Sequence, residues 1–184
     1  MNHSLHILLV EDSPMDQKII QRALNRNWKD VVIKTACDYQ SASILLRQEV
    51  FHCILLDYRL PDSNGLDALK AIKCMGIETP IIIVTSQADT QVAASTIIEG
   101  AYDYISKDEI TPATLKQSIQ RVLKIYDEQM LRIRAEQSLA KSERKYRELV
   151  EFSKAIICKH KLDGTIISAN KQFERFRGTS KKYI

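Results

Sequence analysis

Three features of the sequence predict an α/β fold on a five-stranded, doubly wound parallel sheet. Short apolar runs alternate with helical periods five times, the connections are short, and four of the runs end on a charged or hydroxyl residue. Such alternation makes successive strands parallel and covers both faces of the sheet with helices. The first run, Leu5 to Val10, stops at Glu11-Asp12-Ser13-Pro14, as a buried strand does where it meets solvent. Pro14 suits a first helical position and Asp16 a first turn, and Met15, Ile19, Ala23 and Leu24 then recur on one face. Val31 to Ala36 reads as the second strand and Tyr39 to Gln48 as its helix, with Ala42, Leu45 and Leu46 inward. Cys53 to Leu56 is a third strand halted by Asp57, and the turn Pro61-Asp62-Ser63-Asn64-Gly65 precedes a helix over Leu66 to Cys74. Pro80 to Val84 is the fourth strand, Thr90 to Glu99 a helix closed by Gly100, and Tyr102 to Ser106 a fifth strand ended by Lys107.

From Pro112 the pattern becomes one long helix. Leu115, Ile119, Val122, Tyr126, Met130 and Ile133 recur at steps of three and four, and the apolar line then slips to Leu139, Tyr146 and Leu149. Neither Gly nor Pro interrupts residues 113 to 163, so a helix to about Phe152 is expected, longer than a single globular helix needs. Pairing two such helices as a coiled coil would bury the stripe and make a homodimer; a stiff spacer is the plainer alternative. Ala155 to His160 and Thr165 to Ala169 read as strands joined by Leu162-Asp163-Gly164, an Asp-Gly hairpin signal, and Asn170 to Arg177 as helical. The expected segments are 1–125 as the α/β domain, 126–152 as a helical linker, and 153–184 as a short additional unit.

Apolar residues make up 45% and charged residues 27% of the chain, with only 5 Gly and 4 Pro, which argues for a packed core and against disorder. The apolar runs His6 to Val10 and Pro80 to Val84 are far too short to cross a bilayer, and no targeting segment is visible. The 4 cysteines lie far apart with no C-x-x-C pair, which points to reduced thiols in a cytoplasmic protein rather than to metal or redox work. Charge is uneven: residues 1–112 hold 10 Lys/Arg against 15 Asp/Glu, and residues 113–184 hold 17 against 8. The basic second half interleaves its charges with acids at helical spacing, the pattern of a solvated helix face rather than of a nucleic-acid surface.

In an open parallel sheet, ligands bind outside the carboxyl ends of the strands. Glu11 and Asp12 close the first strand, Asp57 the third, Thr85 the fourth and Lys107 the fifth. Three carboxylates at one edge repel one another unless a cation sits among them, and an all-oxygen site suits Mg²⁺. Phosphoryl transfer to Asp57 would need positioning and positive charge rather than a proton relay, with Lys107 and the Thr85 hydroxyl available to the phosphoryl oxygens. Rival phosphate chemistry lacks its signatures: there is no G-x-x-x-x-G-K-[ST], no G-x-G-x-x-G after the first strand, and no nucleophile elbow.

On these residues the chain resembles, over residues 3 to about 125, the receiver domain of bacterial response regulators, which have a flavodoxin-like fold. The resemblance is carried by Glu11-Asp12 after Leu8-Leu9-Val10, by the run Cys53 to Gly65 around Asp57, by Thr85 after Ile81 to Val84, and by Lys107 in Tyr102-Asp-Tyr-Ile-Ser-Lys107. It implies that Asp57 is the phosphoacceptor, that Glu11 and Asp12 hold Mg²⁺ with it, that Thr85 and Lys107 read the phosphoryl group, and that Tyr104 is the aromatic switch residue. A histidine kinase or phosphotransfer protein is the implied partner, with self-phosphorylation and autodephosphorylation at most as enzymatic activity. The sequence departs from the family at Asp108, where a proline usually follows the lysine. Residues 142–184 resemble the start of a PAS sensor domain, from Ser142 to Leu149 through Leu162-Asp-Gly-Thr-Ile166 to Asn170. A PAS domain needs about twice as many residues, so the expectation is a piece of a longer signalling protein with an output region beyond it. The competing class is a dimerisation scaffold that uses the same fold and helix without a phosphorylation-dependent output.

Overall fold

The computed structural model describes residues 4–86 and 90–179; the outer ends of the first and last expected segments, 1–3 and 180–184, lie outside the described residues. The elements run β1 (Leu5–Val10), α1 (Pro14–Asn27), β2 (Val31–Ala36), α2 (Tyr39–Gln48), β3 (Cys53–Asp57), α3 (Gly65–Cys74), β4 (Ile81–Thr85), α4 (Thr90–Ile98), β5 (Asp103–Ser106), α5 (Pro112–Glu151), β6 (Cys158–His160), β7 (Ile166–Ala169) and α6 (Lys171–Thr179). The chain divides into two compact units, Met1–Glu128 and Gln129–Ile184.

In the first unit five parallel strands are ordered β2-β1-β3-β4-β5. Strand side chains alternate between faces, and because both faces are covered, the buried positions of β1, β3 and β4 ahead of Asp57 and Thr85 are apolar. Leu8, Val10, Ile54, Leu56, Ile81 and Ile83 pack with Ala42 and Leu46 of α2 and with Ala68, Leu69 and Ile72 of α3. Ile7, Leu9, Leu55, Ile82, Val84 and Ile105 pack with Ile20, Ala23 and Leu24 of α1 and with Leu115, Ile119 and Val122 of α5. β3 and β4 are buried at every position, which is why they read as unbroken apolar runs.

Local chemistry starts the helices where the strands hand over. Ser13 Oγ accepts the Asp16 N–H (3.3 Å) with Pro14 at the first helical position. Asp38 Oδ1 accepts the Ser41 N–H (2.7 Å) and Asn64 Oδ1 the Asp67 N–H (2.9 Å). These caps satisfy donors that have no partner inside the helix.

α5 buries only Leu115, Ser118, Ile119 and Val122, all in its first turns. In the second unit β6 and β7 form an antiparallel hairpin, turned by Gly164 at φ 87° with the Asp163 carboxylate accepting the Thr165 N–H (2.9 Å). Asn170 is buried and organises this unit: its amide donates to the Val150 and Ala155 carbonyls (3.0 and 2.9 Å), and its Oδ1 accepts from the Ile157 and Phe173 N–H groups (3.1 and 3.2 Å). No described helix is long and apolar enough to cross a membrane.

Candidate functional site: an acidic pocket at the carboxyl rim

The strand order reverses direction between β1 and β3, so the crevice of a doubly wound sheet opens at their carboxyl ends. Glu11 and Asp12 follow β1 and Asp57 is the last residue of β3. One ligand oxygen from each of the three comes within 4.8 Å of the others, with Glu11 and Asp57 buried and Asp12 exposed. Lys107 enters from the end of β5, where it opens a single 3₁₀ turn, Lys107–Glu109, with a trans peptide to Asp108. Its ammonium lies 2.8 Å from Asp57 Oδ2, 2.7 Å from Glu11 Oε2 and 2.9 Å from Asp16 Oδ2.

Backbone contacts hold the carboxylates in place. Asp57 Oδ1 accepts the Arg59 N–H (3.1 Å) and Glu11 Oε1 the Ser13 N–H (3.1 Å), while the Gln17 amide donates to the Glu11 carbonyl (2.6 Å). The loop after Asp57 is pinned from outside: the Asp62 carboxylate accepts the Tyr39 and Gln40 N–H groups of α2, each at 3.0 Å. Gly65 closes the same loop, its N–H donating to the Tyr58 carbonyl (2.6 Å). A Cβ at Gly65 would stand 2.6 Å from Tyr58 Cα and 3.0 Å from the Asp57 carbonyl oxygen, both backbone atoms that cannot yield.

Burial, partly offset by the contact with Lys107 and reinforced by the charge of Asp57, raises the Glu11 carboxyl to about 7 from its ordinary 4.5. Burial works against the Lys107 ammonium, but its contacts with Asp57, Glu11 and Asp16 outweigh burial and raise it above its ordinary range. Lys107 approaches Glu11 Oε2 as a charge without donating a well-aligned hydrogen bond, so that buried oxygen has none. An oxygen-only donor set that includes a buried carboxylate oxygen without a hydrogen bond fits a hard divalent cation.

Thr85 ends β4 one residue beyond Val84, the register partner of Asp57, and is itself opposite Ser106; it is 3% exposed. Tyr104 is on β5 opposite Ile83 and turns outward, 39% exposed. The sequence reading missed Asp16 as a partner of Lys107, 91 residues away; its position in the first turn of α1, which starts at this rim, was the only signal. A cavity of about 600 Å³ in the second unit, lined by Tyr146, Arg147, Val150, Ile157 and Lys159 among others, contains none of the expected site residues.

A sheet of order 2-1-3-4-5 with acids at the β1/β3 switch point and a lysine from β5 defines a flavodoxin-like domain built around an acidic pocket. Comparison makes the class specific: the family model for the response regulator receiver domain matches residues 7–120, and the chain belongs to that family. The response regulator protein PilR of Pseudomonas aeruginosa is 31% identical over 100 residues, 54% of this chain but 22% of PilR. A chemotaxis protein CheY homologue of Campylobacter jejuni is 27% identical over 121 residues, 65% of this chain and 92% of the homologue. Among solved structures, a two-component response regulator of the LuxR family from Aurantimonas superposes with a TM-score of 0.60 at 28% identity, covering 66% of this chain and 86% of that one. A CheY-like receiver domain from Methanospirillum hungatei, at 22% identity, shares the fold with a TM-score of 0.62 over 69% of this chain and 99% of its own.

Proposed function

We propose that Asp57 accepts a phosphoryl group from a histidine kinase or phosphotransfer protein and that the altered rim biases α5 and the output region beyond it. The observation that carries this is the convergence of Glu11, Asp12 and Asp57 with the Lys107 ammonium 2.8 Å from Asp57 Oδ2. An Asp57 carboxylate oxygen attacks phosphorus as the donor's N–P bond breaks; the electron pair stays on the donor nitrogen, which takes up a proton from water, and Asp57 becomes an acyl phosphate. Because charge spreads over three oxygens during the transfer, positioned positive charge does the work. Mg²⁺ held by Glu11, Asp12 and Asp57 would supply part of that charge. Lys107 supplies the rest from the carboxyl end of β5, the Arg59 N–H orients the acceptor carboxylate, and the Thr85 hydroxyl and Tyr104 ring are the elements that respond.

The test is mass spectrometry after incubation with Mg²⁺ and a small phosphodonor such as acetyl phosphate. One acid-labile phosphoryl should add to the parent and none to Asp57→Asn; labelling that survives in the variant would refute the assignment.

A second reading is supported by α5, several of whose apolar residues beyond Val122 are exposed, Leu139 at 60% and Tyr146 at 70%. On this reading the chain is a coiled-coil dimer whose receiver fold serves as a scaffold. Sedimentation with and without beryllofluoride separates the two, since a mass and shape unchanged by bound mimic favour the scaffold. The hairpin and α6 would then be the first part of a PAS sensor in either reading.

A further inference from the structure

Lys107 touches three carboxylates, and one of them stands apart from the cation-competent cluster. Glu11 and Asp57 lie 2.7 and 2.8 Å from its ammonium and are cluster members, whereas Asp16, at 2.9 Å, is not. The first turn of α1 fixes where Asp16 sits, through the Ser13 cap on the Asp16 N–H.

An ammonium bridging Glu11 and Asp57 and a divalent cation among Glu11, Asp12 and Asp57 compete for the same oxygens. Two cations at contact distance in a partly buried site repel much more strongly than in water. A cation entering there would therefore loosen the ammonium from Glu11 first, the partner to which it gives no aligned hydrogen bond. A displaced ammonium with no other anion would have either to stay and weaken the cation or to leave the pocket.

We infer that Asp16 is a positioning residue that receives Lys107 when a divalent cation binds. It holds the ammonium off Glu11 but still beside Asp57, which raises the pocket's cation affinity and keeps a positive charge where the phosphoryl oxygens arrive. The inference rests on the reading of the pocket given under Proposed function.

Two plainer roles must be separated from this one: Asp16 could draw the cation in by its charge alone, or could only favour the N-terminus of α1. Direct attraction acts whether or not Lys107 is present, and a helix-terminus role does not touch the cation. Calorimetric titration of Mg²⁺ into the full chain and into Asp16→Asn, Lys107→Met and the double variant distinguishes them, with thermal melts by circular dichroism confirming that each variant is folded. Asp16→Asn should weaken Mg²⁺ binding roughly threefold to tenfold when Lys107 is present and less than about twofold in the Lys107→Met background. Equal losses in both backgrounds, or no loss in either, overturn the inference. No Mg²⁺ binding by the parent chain would overturn the reading of the pocket itself, and this inference with it.

Discussion

Glu11 places an acid that is only partly ionised near neutral pH in a pocket suited to cations. Its carboxyl is held up at about 7, first by burial and then by the charge of Asp57, against the opposing contact with Lys107. A group raised in the folded state keeps a proton that the unfolded chain has released, so its contribution to stability is complete below about pH 4.5 and is lost as pH rises toward about 7. The shift corresponds to about 3 kcal/mol. Lys107, also raised, loses its contribution only in strongly alkaline solution and does not disturb this window. Urea melts in chelator should therefore show the midpoint falling between about pH 5 and about pH 7.5, and Mg²⁺ should remove the fall by favouring ionised Glu11. A flat profile in chelator would contradict the environment assigned to Glu11. Lys107→Met takes the compensating charge from two buried acids and should cost about 3 kcal/mol above neutral pH in chelator, less with Mg²⁺ present, by the same melts.

At the scale of elements, the hinge between chemistry and fold is the β3–α3 connection, which must return the chain within eight residues of Asp57 to start a helix at Gly65. Asn64→Ala removes a cap and should cost about 1 kcal/mol. Gly65→Ala should cost more, about 2–3 kcal/mol, because its new Cβ meets the backbone of Tyr58 and Asp57 rather than a side chain that can rotate. The displaced carboxylate should also slow labelling by acetyl phosphate; a Gly65→Ala protein as stable and as quickly labelled as the parent would show that the loop is softer than this. Strand ends and helix starts here were legible because each is marked by a change of chemistry in consecutive residues, an apolar run meeting Glu11, Asp57 or Lys107, or a cap at Ser13 or Asn64. Elements set by distant partners were not. β6 begins at Cys158 rather than Ala155 because the Ile157 N–H is taken by the Asn170 side chain. The Asp62 carboxylate on the α2 N–H groups, and Asp16 on Lys107, depend on how α2 and α1 cross the rim, which no local pattern encodes.

At the scale of the whole chain, α5 is the element common to any route from the pocket toward the C-terminal segments. Its side chains face two different environments along its length: Leu115, Ile119 and Val122 are fully buried against β-sheet residues, while Leu131, Leu139, Tyr146 and Leu149 are each at least 60% exposed. The ion pairs Arg132–Glu136 (3.0 Å) and Arg144–Glu148 (3.1 Å) lie on the exposed stretch and contribute little, since both partners are open to water. On the coiled-coil reading proposed above, a second α5 would cover this exposed stripe. Two substitutions should then behave in opposite ways. Ile119→Ala opens a cavity under the sheet and should lower the stability of the first unit by about 2–4 kcal/mol without changing the mass seen in sedimentation at protein concentrations where the variant is folded. Leu139→Glu should leave the melting of the first unit unchanged, because Leu139 lies outside the core that holds that unit together, and should shift sedimentation from dimer toward monomer by placing like charges in the helix seam. A Leu139→Glu chain that sediments as the parent does would mean that the stripe is covered by something other than its own copy, and the coiled-coil reading would have to be given up in favour of the spacer.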